Sequence, residues 1–223
     1  MQLIELSDYT LLQIGTGNGL NGFYFSISES DICSIDADSP DDAHLLLKAI
    51  ATLVRPLKGT YRFMGKNLDF SNDKQLLSYK KQVGYIASDA ALIRNLSIRE
   101  NLLLMRYYFE NSLLLDIDKK TTELCINFNI YDKLDLRPGD LRPIELRIAI
   151  AIRELSKSPA ILLIEHPENF IMRSQFDLFM EIIKDTLSTG LPLVFISHDK
   201  DFVKEFSNRN ILISGGRLTT VAT

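Results

Sequence analysis

The chain has 223 residues, 46% hydrophobic and 24% charged, the composition of a folded globular domain with room for a large core rather than of a disordered segment. Its net charge of −4 leaves no basic surface to neutralise phosphate backbones, so nucleic acid is not expected as a partner. No apolar run reaches the ~20 residues that span a bilayer, and the opening "MQLIELSDY" lacks the basic and apolar regions of a secretory signal, so no direct membrane insertion is expected.

The first thirty-five residues read as short strands: "QLIEL", "TLLQI", then "FYFSI" and "DICSI" after the turn-rich "GTGNGLNG". Asp41 to Val54 carries apolar residues at Leu46, Leu47, Ile50, Leu53 and Val54, a helical stripe. "GTYRFMG" reads as a strand closed by glycines, residues 73–81 as a short helix and "VGYIA" as a buried strand. In the middle third, Ser97 and Glu100 have capping-box spacing ahead of a helix through "LLLMRYY". Further helices are predicted at 116–128 and 143–156. The chain then alternates: strand "AILLIE", helix near 174–187, strand "PLVFIS", helix 200–206, strand "ILIS", a Gly215–Gly216 turn and a last strand. Apolar strands alternating with helices indicate an α/β parallel sheet covered on both faces. Cys33 and Cys125 lie in apolar surroundings without metal-ligand spacing and read as buried thiols of a reduced compartment.

The strand-to-helix junction "SIDADSPDDAHLLLKAI" is where a phosphate loop, G-x-x-x-x-G-K-[S/T], would sit, yet its loop portion, residues 36–44, has no glycine or lysine and carries Asp36, Asp38, Asp41 and Asp42. Such a loop works because backbone N–H groups and a helix N-terminus converge on an anion. Here Ser39 suits the N-cap, Pro40 the first helical position, and Asp41 and Asp42 the positive end of the dipole, with capping-box spacing from Ser39 to Asp42. A polyphosphate would then meet like charges, each repulsion worth about 4 kcal/mol at ~4 Å near a protein surface. The expectation is a helix terminus satisfied by the chain's own carboxylates and closed to nucleotide.

The order of elements resembles the nucleotide-binding domain of ABC transporters along essentially the whole chain. The resemblance is carried by "LLLKAIATLVRPLKGTYRFMGKNL", "VGYIASDAALIRNLSIRENLLL", "LRPIELRIAIAIRELSKSPAILLIEHP" and "LVFISHDKDF", in family order. It implies a P-loop NTPase-like ABC ATPase fold, with a parallel sheet core, an N-terminal antiparallel β region and a helical subdomain at about 89–157, within one domain covering 1–223. Residue by residue, the family's phosphate loop falls on Ala37, Asp38, Ser39, Pro40, Asp41, Asp42, Ala43 and His44. Ala43 takes the lysine position and His44 that of the magnesium-binding hydroxyl. The glutamine position is Ser88, and the signature reads Leu141, Arg142, Pro143, Ile144 and Glu145. The Walker B aspartate position is Glu165, the catalytic glutamate position is His166, and the switch histidine is His198. The dimer-facing aspartate falls near Met172 and the adenine-stacking aromatic near Gln13. In the family the segment from Ala90 to Tyr108 receives the permease, which here implies docking through Ala90, Leu92, Ile93, Arg94, Leu96, Arg99 and Leu103.

Each of these features has a plainer reading. His166 as a general base, Glu165 as a cation holder and His198 as a γ-phosphate sensor are weighed against structural roles, which the missing lysine, glutamine and signature glycines favour. His44 is expected to be a solvated surface residue, and "GTGNG" a hairpin or loop tip rather than a cofactor loop. The aspartates at 36–42 lack the spacing of a calcium loop, and no metal is expected.

The sequence reading is therefore a pseudo-ATPase, not an enzyme and without cofactor. It would be a structural or regulatory subunit docked on an integral-membrane permease, cytoplasmic and peripheral to the inner or plasma membrane, as a homodimer or other ABC-type dimer. "AALIRNLSIRENLLL" looks somewhat like the ATPases of MCE-type lipid transport. The alternatives are an ATP-hydrolysing subunit that works through Glu165 and His166, using ATP and magnesium, and a free-standing interaction domain.

Overall fold

A computed structural model describes residues 2–110, 115–169 and 173–222. Strands β1 (Gln2–Leu11) and β2 (Leu20–Ser28) form an antiparallel hairpin, and β2 alternates Leu20, Phe23, Phe25 and Ile27 into the core, as a half-buried strand must. The two runs "QLIEL" and "TLLQI" form one strand, not two. It is kinked at Asp8, whose φ is +47°, with an irregularity in its pairing between Ser7 and Thr10. Strand β3 (Ile32–Ala37) leads into helix α1 (Pro40–Ile50), with Pro40 in the first turn. Strands β4 (Lys58–Phe63) and β5 (Lys66–Asn67) complete a four-stranded antiparallel sheet in the order β2-β1-β4-β5.

Helix α2 (Asp73–Lys80) and strand β6 (Val83–Ile86) precede a helical stretch: α3 (Ile98–Glu110), α4 (Lys119–Asn127) and α5 (Pro143–Ser156). Strand β7 (Ile161–Glu165), helix α6 (Arg173–Ser188), strand β8 (Leu193–Ile196), helix α7 (Lys200–Phe206) and strands β9 (Arg209–Ser214) and β10 (Arg217–Ala222) follow. The second sheet runs β10-β9-β3-β8-β7-β6, parallel except for β10. Strands β7 and β8 are buried at every position, as expected where helices cover both faces.

Helix α1 lies between the two sheets, so Leu45, Leu46, Leu47, Ala49 and Ile50 are all buried rather than confined to one stripe. Its last carbonyl, on Ile50, accepts from the hydroxyls of Tyr61 (2.9 Å) and Tyr79 (2.7 Å), which satisfies an end that helices leave open. This fixes α1, and with it the junction at its N-terminus, against the β-rich lobe.

Candidate functional site

The carboxyl ends of parallel strands form the crevice where open α/β sheets bind ligands. Here β3 delivers the junction to α1, β7 ends at Glu165, and β8 is followed by Ser197 and His198. Glu165 is 1% exposed. Its Oε1 accepts from His44 Nδ1 (2.9 Å) and from the Tyr85 hydroxyl, and its Oε2 accepts from the Ser88 amide (2.8 Å) and Ser88 Oγ (2.7 Å). Burial pushes the Glu165 carboxyl up, but these donors outweigh it and hold its pKa at about 2. The hydrogen bond to Glu165 raises the pKa of His44, ahead of the opposing effect of its partial burial. His44 is thus no solvated surface residue: its side chain is 23% exposed and pairs with a buried carboxylate.

His166 follows Glu165 with φ +50° and donates its amide to Ile196 O (2.8 Å), which ties the end of β7 to β8. Its ring stacks on His198 at 4.6 Å and lies 5.7 Å from His44, so all three histidines of the chain form one array. Glu168 supports it, accepting from the His198 amide (2.9 Å) and Ser197 Oγ (2.8 Å), with His166 Nδ1 at 3.4 Å. Burial pushes the Glu168 carboxyl up, and these contacts bring it net below its ordinary range. Sequence reasoning missed Glu168. Its only signal is a carboxylate two residues beyond His166, and its partners lie about thirty residues on.

At the junction, Ser39 makes no side-chain cap and the Ser39–Asp42 capping box does not form. The aspartates turn instead toward the loop between β1 and β2. Asp41 Oδ2 accepts from the Thr16 amide (2.7 Å) and hydroxyl (2.9 Å), while Asp42 Oδ1 accepts from the amides of Asn18 (2.9 Å) and Gly19 (3.0 Å). The glycines of "GTGNG" have a clear reason: a Cβ on Gly15 would stand 2.4 Å from Asp41 Oδ2, and one on Gly17 2.4 Å from Asp42 Oδ1. That loop is a carboxylate cradle, and the helix terminus is not closed by its own acids as the sequence suggested. Asp38 binds the Ser214 hydroxyl (2.7 Å), Asp36 is exposed, and Ala37, Pro40 and Ala43 line a cavity of about 60 Å³ with His44, His166 and His198.

The signature positions sit elsewhere, at the start of α5. Glu145 accepts from the Arg142 amide (2.8 Å) and pairs with the guanidinium of Arg142 (2.8 Å) and with Lys133 (2.6 Å). Arg142, then Lys133, hold the Glu145 carboxyl at about 2. Pro143 takes the first turn of α5, Leu141 is buried and Ile144 packs partly against the core. Gln13, the adenine-stacking position, is exposed, and the position near Met172 lies outside the described residues.

Of the docking segment, Leu92 and Leu103 are buried in the core, so they cannot face a partner. Arg99 is occupied by Asp116 (2.8 Å) and Asp135 (3.0 Å). Ala90 and Leu96 are partly buried, and Ile93 and Arg94 stand exposed. Buried Asn101, which the sequence reading passed over, fixes this loop. Its Oδ1 accepts from the Ile93 amide (2.7 Å) and its Nδ2 donates to Ile93 O (3.1 Å) and Ser97 O (2.9 Å).

No family model matches the chain. Among solved structures, a dimeric bacterial ABC transporter cassette, MJ0796, superposes with a TM-score of 0.82 at 22% identity, covering 99% of this chain and 98% of that one. The chain has the ABC-cassette fold. The same cassette in a post-hydrolysis state, bound to ADP and Pi, superposes with a TM-score of 0.81 at 20% identity. In sequence, the methionine import ATP-binding protein MetN of Mannheimia succiniciproducens is 26% identical over 203 residues, covering 90% of this chain and 58% of that protein. The molybdenum import ATP-binding protein ModC of Brucella melitensis biotype 1 is 29% identical over 197 residues, covering 86% and 53%. This cassette therefore spans little more than half the length of these two relatives.

These similarities overturn the expectation of a pseudo-ATPase that is no enzyme and uses no cofactor. The relatives that match most of the chain are named as ATP-binding proteins of import systems, and a cassette of the same fold is bound to ADP and Pi. They are not lipid transporters by name, so the MCE-type reading finds no footing. The premise behind the expectation also fails physically, because Asp41 and Asp42 serve the 16–19 loop rather than capping α1. In the arrangement seen, a magnesium triphosphate would have to displace contacts that the chain makes to itself. Four donors, His44 among them, fill the roughly four lone-pair positions of Glu165, and Ala43 offers no ammonium. Among the described residues, no helix is long and apolar enough to cross a membrane.

Proposed function

We propose that this cassette is the ATP-binding subunit of an ABC-type import system, a single domain with its helical subdomain at about 89–157. It works as a dimer, peripheral to the membrane on the cytoplasmic side of a permease. The observation that supports this most directly is the convergence of His44, Ser88, Glu165, His166 and His198 at the carboxyl ends of β3, β6, β7 and β8, in a chain similar to named ATP-binding import proteins over nearly its whole length. Glu165 and His166 occupy the reaction centre, with Ser88, His44 and His198 around them. The exposed surface at Ile93 and Arg94, flanked by Ala90 and Leu96, meets the permease.

The test is a melting-temperature titration of the purified chain with Mg-ATP, followed by assay of released phosphate. A ligand at about 100 times its Kd stabilises the fold by about 2.7 kcal/mol, a shift of several degrees. Because His44 fills one oxygen of Glu165 and narrows the cavity, His44→Ala is expected to enlarge the shift. Phosphate release is expected to fall by roughly 10²-fold or more in Glu165→Gln. No shift at millimolar Mg-ATP in either protein would overturn the reading.

A further inference from the structure

Under α7 the sheet has a polar floor. Ser34 on β3 is in register with Asn210 on β9, and both line a cavity of about 560 Å³ whose other walls include Lys200, Val203 and Lys204 of α7. Parallel strands covered by a helix are ordinarily apolar on that face, yet Ser34 is buried with its hydroxyl turned to Asn210. Ser34 Oγ donates to Asn210 Oδ1, which leaves the amide's Nδ2 over, while Ser207 Oγ, 3.2 Å from the same oxygen, gives its proton to Val203 O (2.7 Å). No described residue accepts from that Nδ2, and neither Lys200 nor Lys204 makes an ion pair among the described residues. The Ser197 hydroxyl is already committed to Glu168 (2.8 Å). What the cavity retains is therefore two ammonium groups, an amide donor and the exposed His198 ring, against the single carboxylate of Asp36, with Ile35 and Val203 as an apolar surface. Its volume lies within the ~300–1,000 Å³ usual for small-molecule sites.

We infer that this cavity binds a small organic oxyanion: a phosphate or carboxylate head held by Lys200, Lys204 and Asn210, with a short apolar body against Ile35 and Val203. It adjoins the cavity at the phosphate-loop position, and the two share Ile35, Asp36, Ser197 and His198 in their walls. The inference stands whether or not the nucleotide reading holds.

Calorimetric titration of the whole chain with phenyl phosphate, benzoate and inorganic phosphate tests it. Phenyl phosphate or benzoate is expected to saturate one site below about 10 mM, and phenyl phosphate to bind roughly fivefold or more tighter than inorganic phosphate because it adds the apolar body. Lys200→Glu/Lys204→Glu, at exposed positions, is expected to weaken binding about tenfold or more. Lys74→Glu, an exposed lysine on α2 away from the cavity, leaves it within about twofold. No saturable binding of either organic anion, equal weakening in Lys74→Glu, or loss in His44→Ala with retention in the double variant would each overturn the inference. The last of these would put the anion in the phosphate-loop cavity.

Discussion

His44 decides the electrostatics of the crevice. The resemblance puts it where a magnesium-binding hydroxyl would stand, and its imidazole instead meets the buried carboxylate of Glu165 at 2.9 Å. The folded-state pKa of Glu165 is depressed to about 2, so its contribution is present above the unfolded carboxylate range near 4.3 and lost as pH falls through about 2. The folded-state pKa of His44 is raised, so its contribution is full below the unfolded value near 6.5 and lost as pH rises through the folded value. The pair is strongest between those limits, and His44→Ala should cost ~1–3 kcal/mol at about pH 5–6, with the cost shrinking at alkaline pH. Urea melts of both proteins from pH 5 to 9 measure this, and a cost that stays constant over that range would show that His44 acts through packing alone. A second residue-scale expectation concerns Gly17. Its missing Cβ leaves room for Asp42, so Gly17→Ala should cost ~1–3 kcal/mol, and much less in an Asp42→Ala background, a coupling that a double-mutant cycle reads directly.

At the scale of elements, what the sequence shows is what is local. Helices α5 and α7 lie at the predicted 143–156 and 200–206, because Pro143 and the apolar period mark them. The Ser97–Glu100 capping box forms as read, Glu100 receiving the Ser97 amide at 2.6 Å and Ser97 Oγ the Glu100 amide at 3.1 Å. What escaped was set by distant partners. The kink at Asp8 depends on β1 pairing with two neighbours, and Asp42 looked like a cap because its true donors lie 23 and 24 residues upstream in a loop. In the same way Glu165, His166 and His198 could be named from the resemblance of their segments to the family's motifs, while the His44 contact that fills Glu165 required the fold. Asn101 belongs to this class: an asparagine in a helical run gives no sign that it ties down the preceding loop. Asn101→Ala would leave the Ile93 amide without its partner, while Ile93 O and Ser97 O keep the Leu96 and Asn101 amides, at ~1–3 kcal/mol. Denaturant melts check the magnitude, and fast hydrogen exchange at the Ile93 amide in the variant would locate the loss. A protected amide there would show that the loop is held by other means.

At the scale of the molecule, the knot at Asn101 gives the proposed docking surface its rigidity. The β-rich lobe and α1 fix the crevice on one side of the second sheet, while α3 and α5 carry the 93–97 loop outward with Ile93 and Arg94 exposed. A surface that receives a permease must keep its shape when unpartnered, and a loop bonded through one buried amide does so without spending exposed residues on itself. Reversing a charge at Arg99 would not probe that surface cleanly. Its guanidinium holds Asp116 and Asp135, so Arg99→Glu would set like charges together and unsettle the fold. Arg94 makes no ion pair among the described residues, so Arg94→Glu should leave the melting temperature within about 2 °C, as surface substitutions away from structural contacts do. Co-purification of the chain with a polytopic membrane protein from solubilised membranes should then fall sharply in Arg94→Glu and in Ile93→Glu, while Lys74→Glu retains it. Equal recovery of all three variants would place the contact with the membrane partner elsewhere on the cassette, and an equal loss in Lys74→Glu would reduce it to bulk charge.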